Sequence, residues 1–245
     1  METAIISQYL VLMEGYSQGL VQHCLNTAGI SFVVAECLDL NEQEKIQIVT
    51  GAILHDLGTI KIQRSILNKP GPLTEREWKE IKRHPLNGLQ MISKEKSLDP
   101  IQEILLYHHE RWDGQGYYGL PAEKIPLGAR ILAFANAVEA MSSPKPYHPP
   151  FTMQQLVQEI LSNSGTQFDP DLVKKVLFHC QDFAPMLYNG NLRAIVTKEK
   201  ERLLRLVKKY RSLNHPLVWA QSRRLDKLVV FSYRPFPLEN PLNLN

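Results

Sequence analysis

The stretch Ala52-Ile53-Leu54-His55-Asp56-Leu57-Gly58 decides how this chain is read. It closes an apolar, helix-forming run with an imidazole beside a carboxylate, followed by a glycine able to stop the helix. A neutral ring nitrogen next to an anionic oxygen is a donor pair for a divalent cation. An isolated His-Asp pair is more often a helix end whose histidine caps the last carbonyls. The other histidines change that balance. His23 lies upstream, His84 downstream, and His108-His109 form a second adjacent pair, so five of the eight histidines fall at these places.

The sequence on either side reads as helix after helix. Leu20, Cys24, Ala28, Val34 and Leu38 recur at roughly helical spacing, so the first 40 residues are expected to be helical. Asn41 followed by Glu44 predicts a capped helix running up to His55-Asp56. Lys69-Pro70-Gly71-Pro72 is a loop, and Thr74 with Glu77 caps a helix through Trp78, Ile81 and His84, restarted or kinked at Pro85. A further helix covers residues 101–109. After it comes Glu110-Arg-Trp-Asp-Gly-Gln-Gly-Tyr117-Tyr118-Gly, which cannot be regular structure and reads as a substrate lid. Residues 127–141 form an apolar helix with one buried-looking polar residue, Asn136. Four prolines between 144 and 151 break the chain, and helices follow near 152–163 and 170–181, the second with Asp169 as N-cap and Pro170 in its first turn. No strand-like alternation of any length and no fixed-period repeat is present, so the expected class is all-α.

A chain of 245 residues suits one large domain, or one domain with a small appendage. No apolar run reaches transmembrane length and no cleavable signal leads the chain, so no membrane association is expected, and the protein is read as cytoplasmic. Cys24, Cys37 and Cys180 are odd in number and scattered, which fits reduced thiols, with Cys24 and Cys37 facing a core. Charge is uneven: from Asn191 onward there are twelve Lys or Arg against four Asp or Glu, whereas acid exceeds base before it. That shift marks a module boundary. Beyond it, amphipathic stretches near 194–212 and 217–233, joined by Leu213-Asn-His-Pro216, predict an antiparallel hairpin. Such a basic segment can meet nucleic acid or an acidic protein, or be a solvated face.

The assembled segments resemble the HD-GYP family of metal-dependent phosphodiesterases, which hydrolyse cyclic di-GMP. The resemblance covers about residues 15–180. It rests on His55-Asp56-Leu-Gly58, Ile66-Leu-Asn-Lys-Pro-Gly71, His108-His-Glu-Arg-Trp-Asp-Gly-Gln-Gly-Tyr117, Ile125-Pro-Leu-Gly-Ala-Arg130, Lys145-Pro-Tyr147 and Gly165-Thr-Gln-Phe-Asp-Pro170. It implies an HD-domain helical bundle over residues 1–185 and two divalent transition-metal ions, iron or manganese. The implied ligands are His23, His55, Asp56, His84, His108, His109 and Asn136, with Asp56 bridging and His55-Asp56 at the catalytic centre. Arg111, Gly116, Tyr117, Lys145 and His148 are the implied substrate contacts. The chain departs from the family at several places. The lysine of the HDxGK signature is Thr59, the last metal-ligating aspartate is Asn136, the glutamate some members use for a third metal is Gly19, and GYP reads Gly116-Tyr117-Tyr118. These departures allow an enzyme of reduced rate, or a degenerate domain that binds cyclic di-GMP and signals without cleaving it.

The C-terminal segment has its own resemblance. Ser222-Arg-Arg-Leu-Asp226-Lys227 is similar to the Ser-Gln-Glu-Leu-Asp-Lys signature of the two-helix phosphatases acting on sporulation response regulators. It implies a phosphatase-like hairpin over 190–235 that uses Ser222 and Asp226 to meet a response regulator. A plain hairpin that makes a homodimer is the equal alternative, and nucleic acid is not the favoured partner. Residues 236–245 are expected to be a disordered tail.

Overall fold

A computed structural model of the chain describes residues 2–143, 149–178 and 205. The expected hairpin over 190–235, its Ser222 and Asp226, the 236–245 tail, Cys180, Lys145 and His148 lie outside these residues.

The first 40 residues are two helices, α1 (Glu2–Tyr16) and α2 (Gln18–Cys37), broken at Ser17, whose extended backbone separates them. α3 (Glu42–Leu54) starts with both halves of the predicted capping box: Asn41 accepts from the Glu44 amide, and the Glu44 carboxylate accepts from the Asn41 amide. A 3-10 turn, Leu57–Lys61, and the single helical turn α4 (Arg64–Leu67) follow. Thr74 and Glu77 cap α5 (Glu75–Ile81) reciprocally. α6 (His84–Ile92) begins afresh at His84, with Pro85 in its first turn, where a missing amide leaves no helical bond unmade.

Two expectations need correction. α7 (Gln102–Tyr107) is shorter than predicted, because residues 96–101 form a 3-10 turn and His108-His109 lie in the turn beyond its end. Gly58 does not stop α3. The helix ends at Leu54, and the glycine sits inside the 3-10 turn for a steric reason. A Cβ there would lie 2.0 Å from the His84 carbonyl oxygen and 2.4 Å from the Gly88 nitrogen, so any side chain would force α6 off the turn.

α8 (Leu127–Ser142) and α9 (Met153–Ser162) match the predicted pair closely, and residues 170–178 continue as helix. Asp169 caps that last run by accepting from the amides of Asp171 and Leu172, and it also takes Arg130 of α8 at 2.7 Å. The class is all-α: among the described residues the one β-type pairing is an isolated bridge between Ser164 and Phe168.

Two apolar clusters hold the bundle. One gathers Ala28, Ile48, Ala52, Ile104, Ile131, Leu132, Phe134 and Leu156 with the last described helix. The other gathers Met13, Cys24, Leu54, Leu57, Ile92, Leu98 and Leu105. α2, α3 and α7 contribute to both, so their histidine-bearing positions are anchored from two sides by packed side chains. Cys24 and Cys37 are buried in the apolar clusters, as expected. No helix among the described residues is long and apolar enough to cross a membrane.

Candidate metal centre

Three imidazoles are presented in one way. His55 after α3, His84 at the head of α6 and His108 after α7 each set Nδ1 on the carbonyl oxygen three residues earlier. The distances are 2.8 Å to Ala52, 2.8 Å to Ile81 and 2.7 Å to Leu105. A carbonyl only accepts, so Nδ1 carries the hydrogen in each ring and Nε2 keeps its lone pair. The local fold supplies this geometry, because a histidine at a helix end lies within reach of a terminal carbonyl that lacks a helical partner.

The free Nε2 atoms converge. His55 Nε2 is buried with no hydrogen-bond partner among the described residues, and His84 Nε2 faces His108 Nε2 at 3.2 Å. Two lone pairs at that separation repel, and a buried acceptor without a donor is costly. A cation between His84 and His108 and another beside His55 would relieve these, so the rings fit metal ions. Asp56 stands among them. Its Oδ1 is 3.2 Å from His84 Nε2, and its Oδ2 is 3.6 Å from His55 Nε2 and 3.8 Å from His23 Nε2. Two candidate ligand sets result, Asp56 with His84, His108 and His109, and Asp56 with His23 and His55, and the aspartate belongs to both.

For three of the rings the electrostatics favour the neutral form. Burial pushes His55 and His108 below the ordinary histidine range, and burial together with His84 brings His109 down to about 3. Burial works to raise the Asp56 carboxyl, but His55, His84, His23 and His109 outweigh it and hold the group well below the usual carboxylate range.

His23 is oriented differently, by a residue the sequence did not reveal. Glu139 of α8 is buried, and its Oε2 lies 2.7 Å from His23 Nδ1. Its Oε1 accepts from Asn26 at 3.1 Å and from the Ser143 hydroxyl. Burial works to lower the His23 pKa, but Glu139 and Asp56 raise it overall. Burial also opposes the charge on Glu139, yet its bond to His23 brings the carboxyl down to about 2. Asn136, one turn before Glu139, also acts to raise the His23 pKa. The available signal was a second polar side chain in the apolar run of α8, at i+3 from Asn136 and so on the same face.

The loop after His109 is organised by Glu110. Its buried carboxylate accepts from the Tyr118 amide at 2.6 Å and the Leu120 amide at 2.8 Å. Gly116 presses on it: a Cβ there would come 2.5 Å from Glu110 Cα, so the glycine is required by packing. Tyr117 stacks on His109 with centroids 4.5 Å apart, and the Lys82 ammonium stands 5.2 Å from the Tyr117 centroid. Arg111, an implied substrate contact, forks onto Asp113 at 3.0 and 2.7 Å.

An all-α bundle thus collects five imidazoles and two carboxylates from α2, the ends of α3 and α7, the head of α6 and the last turn of α8, an arrangement able to hold metal ions. The chain belongs to the HD domain family, whose model matches residues 1–172. It is 40% identical over 167 residues to the cyclic di-GMP phosphodiesterase response regulator RpfG of Xanthomonas campestris pv. campestris, a match covering 67% of this chain and 43% of that protein. It is 35% identical over 153 residues to the 3'3'-cGAMP-specific phosphodiesterase 2 of Vibrio cholerae, covering 61% of this chain and 29% of that one. The chain thus spans less than half the length of these curated relatives. Among solved structures, the HD domain of the L. monocytogenes phosphodiesterase PgpH, in complex with cyclic-di-AMP, shares the fold. The TM-score is 0.55 at 17% identity, over 75% of this chain and 98% of that one.

Proposed function

We propose that this chain is a metal-dependent phosphodiesterase of the HD-GYP type that hydrolyses cyclic di-GMP in a bacterial signalling pathway. The observation that carries the reading is Asp56, one carboxylate shared by two sets of imidazoles. Divalent cations in such a site, iron or manganese by the family resemblance, supply Lewis-acid neutralisation of a phosphate and activation of water. His55, His84 and His108 offer unprotonated Nε2 atoms, His23 and His109 extend the two sets, and Asp56 contributes the fixed negative charge. Tyr117, stacked on His109, offers a ring face on which a nucleobase can stack. Arg111, Gly116, Lys145 and His148 are the further substrate contacts of this reading. The relatives named as phosphodiesterases of cyclic di-GMP and of 3'3'-cGAMP favour a cyclic dinucleotide, and the higher identity favours the former.

The second reading is a receptor that binds the dinucleotide without cleaving it and controls a response regulator through residues 190–235. Thr59 and Asn136 favour it, since an ammonium and a carboxylate of the family pattern are replaced by neutral groups. Metal analysis of protein purified without oxygen, followed by chromatography of products from cyclic di-GMP, separates the two. Nearly two metals per chain with linear product supports the enzyme. Metal without product, gained only by Asn136→Asp with Thr59→Lys, supports the receptor. Metal-free protein that neither cleaves nor binds cyclic di-GMP would sink both.

A further inference from the structure

Away from the imidazoles, the surface carries a groove of about 750 Å³ lined by Lys61, Arg76, Lys79, Glu80, Arg83, Asn87, Gln90 and Met91. None of these residues belongs to the two ligand sets. Seven of them form one stripe. Lys82 and Arg83, between α5 and α6, keep near-helical backbone angles, so positions 76, 79, 80, 83, 87, 90 and 91 follow at helical spacing along a common face. Lys61, from the turn behind His55-Asp56, closes the other side.

Two properties of this lining point to a ligand. Its charge is four bases against one acid, and the Lys and Arg ion pairs among the described residues involve Lys45, Lys69, Arg111 and Arg130, none of them in the groove. Four cations held around one concavity with a single carboxylate, Glu80, among them leave a net positive charge that an anion would neutralise. The lining is also graded along the stripe. Cations occupy the α5 end and its junction, whereas Asn87, Gln90 and Met91, on α6, offer amides and a thioether. Amide groups can pair with a base edge through both donor and acceptor, and a polarizable sulfur suits a flat aromatic ring. The volume falls within the range of small-molecule sites.

We propose that this groove binds a nucleoside polyphosphate, with its phosphates on Lys61, Arg76, Lys79 and Arg83 and its base against Asn87, Gln90 and Met91. The site is separate from the metal centre. It lies across the same joint, since Arg83 precedes His84 and the Asn87 Cβ stands 2.9 Å from where a Gly58 Cβ would be.

The test is calorimetric titration of the full-length, metal-loaded protein with magnesium-saturated ATP, with inorganic tripolyphosphate and a poly-glutamate peptide as comparators. ATP is expected to bind saturably and more tightly than tripolyphosphate. Arg76→Ala with Lys79→Ala should weaken both ligands by about tenfold or more, as expected for losing charge-assisted contacts. Asn87→Ala with Gln90→Ala should weaken ATP and leave tripolyphosphate unchanged. Circular dichroism and bound-metal content should stay at wild-type values in both variants, which shows that the fold is intact. Absence of saturable ATP binding, or ATP binding that the basic-pair variant does not weaken, overturns the proposal. Equal affinity for tripolyphosphate and ATP removes the nucleoside from it. Binding of poly-glutamate in place of either phosphate ligand makes the groove a protein-docking surface instead.

Discussion

Glu139 shows how much a single buried side chain decides here. Its carboxylate holds His23 Nδ1 at 2.7 Å, so His23 is turned with Nε2 toward Asp56. Replacement by Gln keeps the shape and removes the charge. Partners of this kind are worth roughly 10–100-fold in metal affinity, and Glu139→Gln is expected to fall in that range when competed against a chelator, with Glu139→Ala lower still. Retention of wild-type affinity by both variants would mean that His23 is not a ligand. The same pair makes the metal-free protein sensitive to pH. The Glu139 carboxyl is depressed from 4.5 to about 2, so its contribution is complete above pH 4.5 and is lost as pH falls toward 2. The His23 pKa is raised above 6.5, so its contribution is complete below 6.5 and fades as pH rises through the folded value. Thermal melts of metal-free protein should therefore show greatest benefit from the pair between about pH 4.5 and 6.5, and Glu139→Gln should flatten that profile.

At the scale of elements, the seam between the Leu57–Lys61 turn and α6 is the tightest joint. A methyl at Gly58 has no room, because the atoms it meets are backbone and cannot rotate away. Gly58→Ala should cost at least about 3 kcal/mol, the upper end of ordinary overpacking, and should loosen metal binding because His55, Asp56 and His84 flank the joint. Gly15 is the contrast. It lies in α1 with nothing within 4 Å of an added Cβ, so Gly15→Ala should stabilise by about 0.5–1 kcal/mol through the unfolded chain. Denaturant midpoints of the two variants moving in the same direction would contradict this reading.

Across the whole molecule, Asp169 links parts that are distant in sequence. It caps the 170–178 helix and pairs with Arg130 of α8, whose guanidinium stands 5.5 Å from the Trp112 centroid. The Trp112 and Asp113 amides donate to the carbonyls of Gln167 and Thr166. The loop carrying Tyr117 is thus tied to the last described helix. Asp169→Ala removes a cap and one partner of a largely buried ion pair, and should cost about 2–4 kcal/mol. Amide exchange should rise in residues 110–120 as well as in 170–178. Exchange confined to the second segment would show that the loop is held by Glu110 alone.

The sequence by itself determined the all-α class and most helix starts, because caps such as Asn41-Glu44 and Thr74-Glu77 act over three residues and leave a local mark. It also singled out the six residues that the fold gathers into two candidate ligand sets, through the recurrence of His-Asp and His-His at helix ends and the family pattern. Tertiary structure alone decided three matters. It made Gly58 a contact residue, since the atoms excluding a side chain belong to α6. It turned Glu139 toward His23, a partner 116 positions away that no local pattern records. It set the distances at which Asp56, the bridge that the resemblance implies, meets both groups of imidazoles, because those depend on how α2, α3, α6 and α7 pack, and packing sums contacts from segments far apart in the chain.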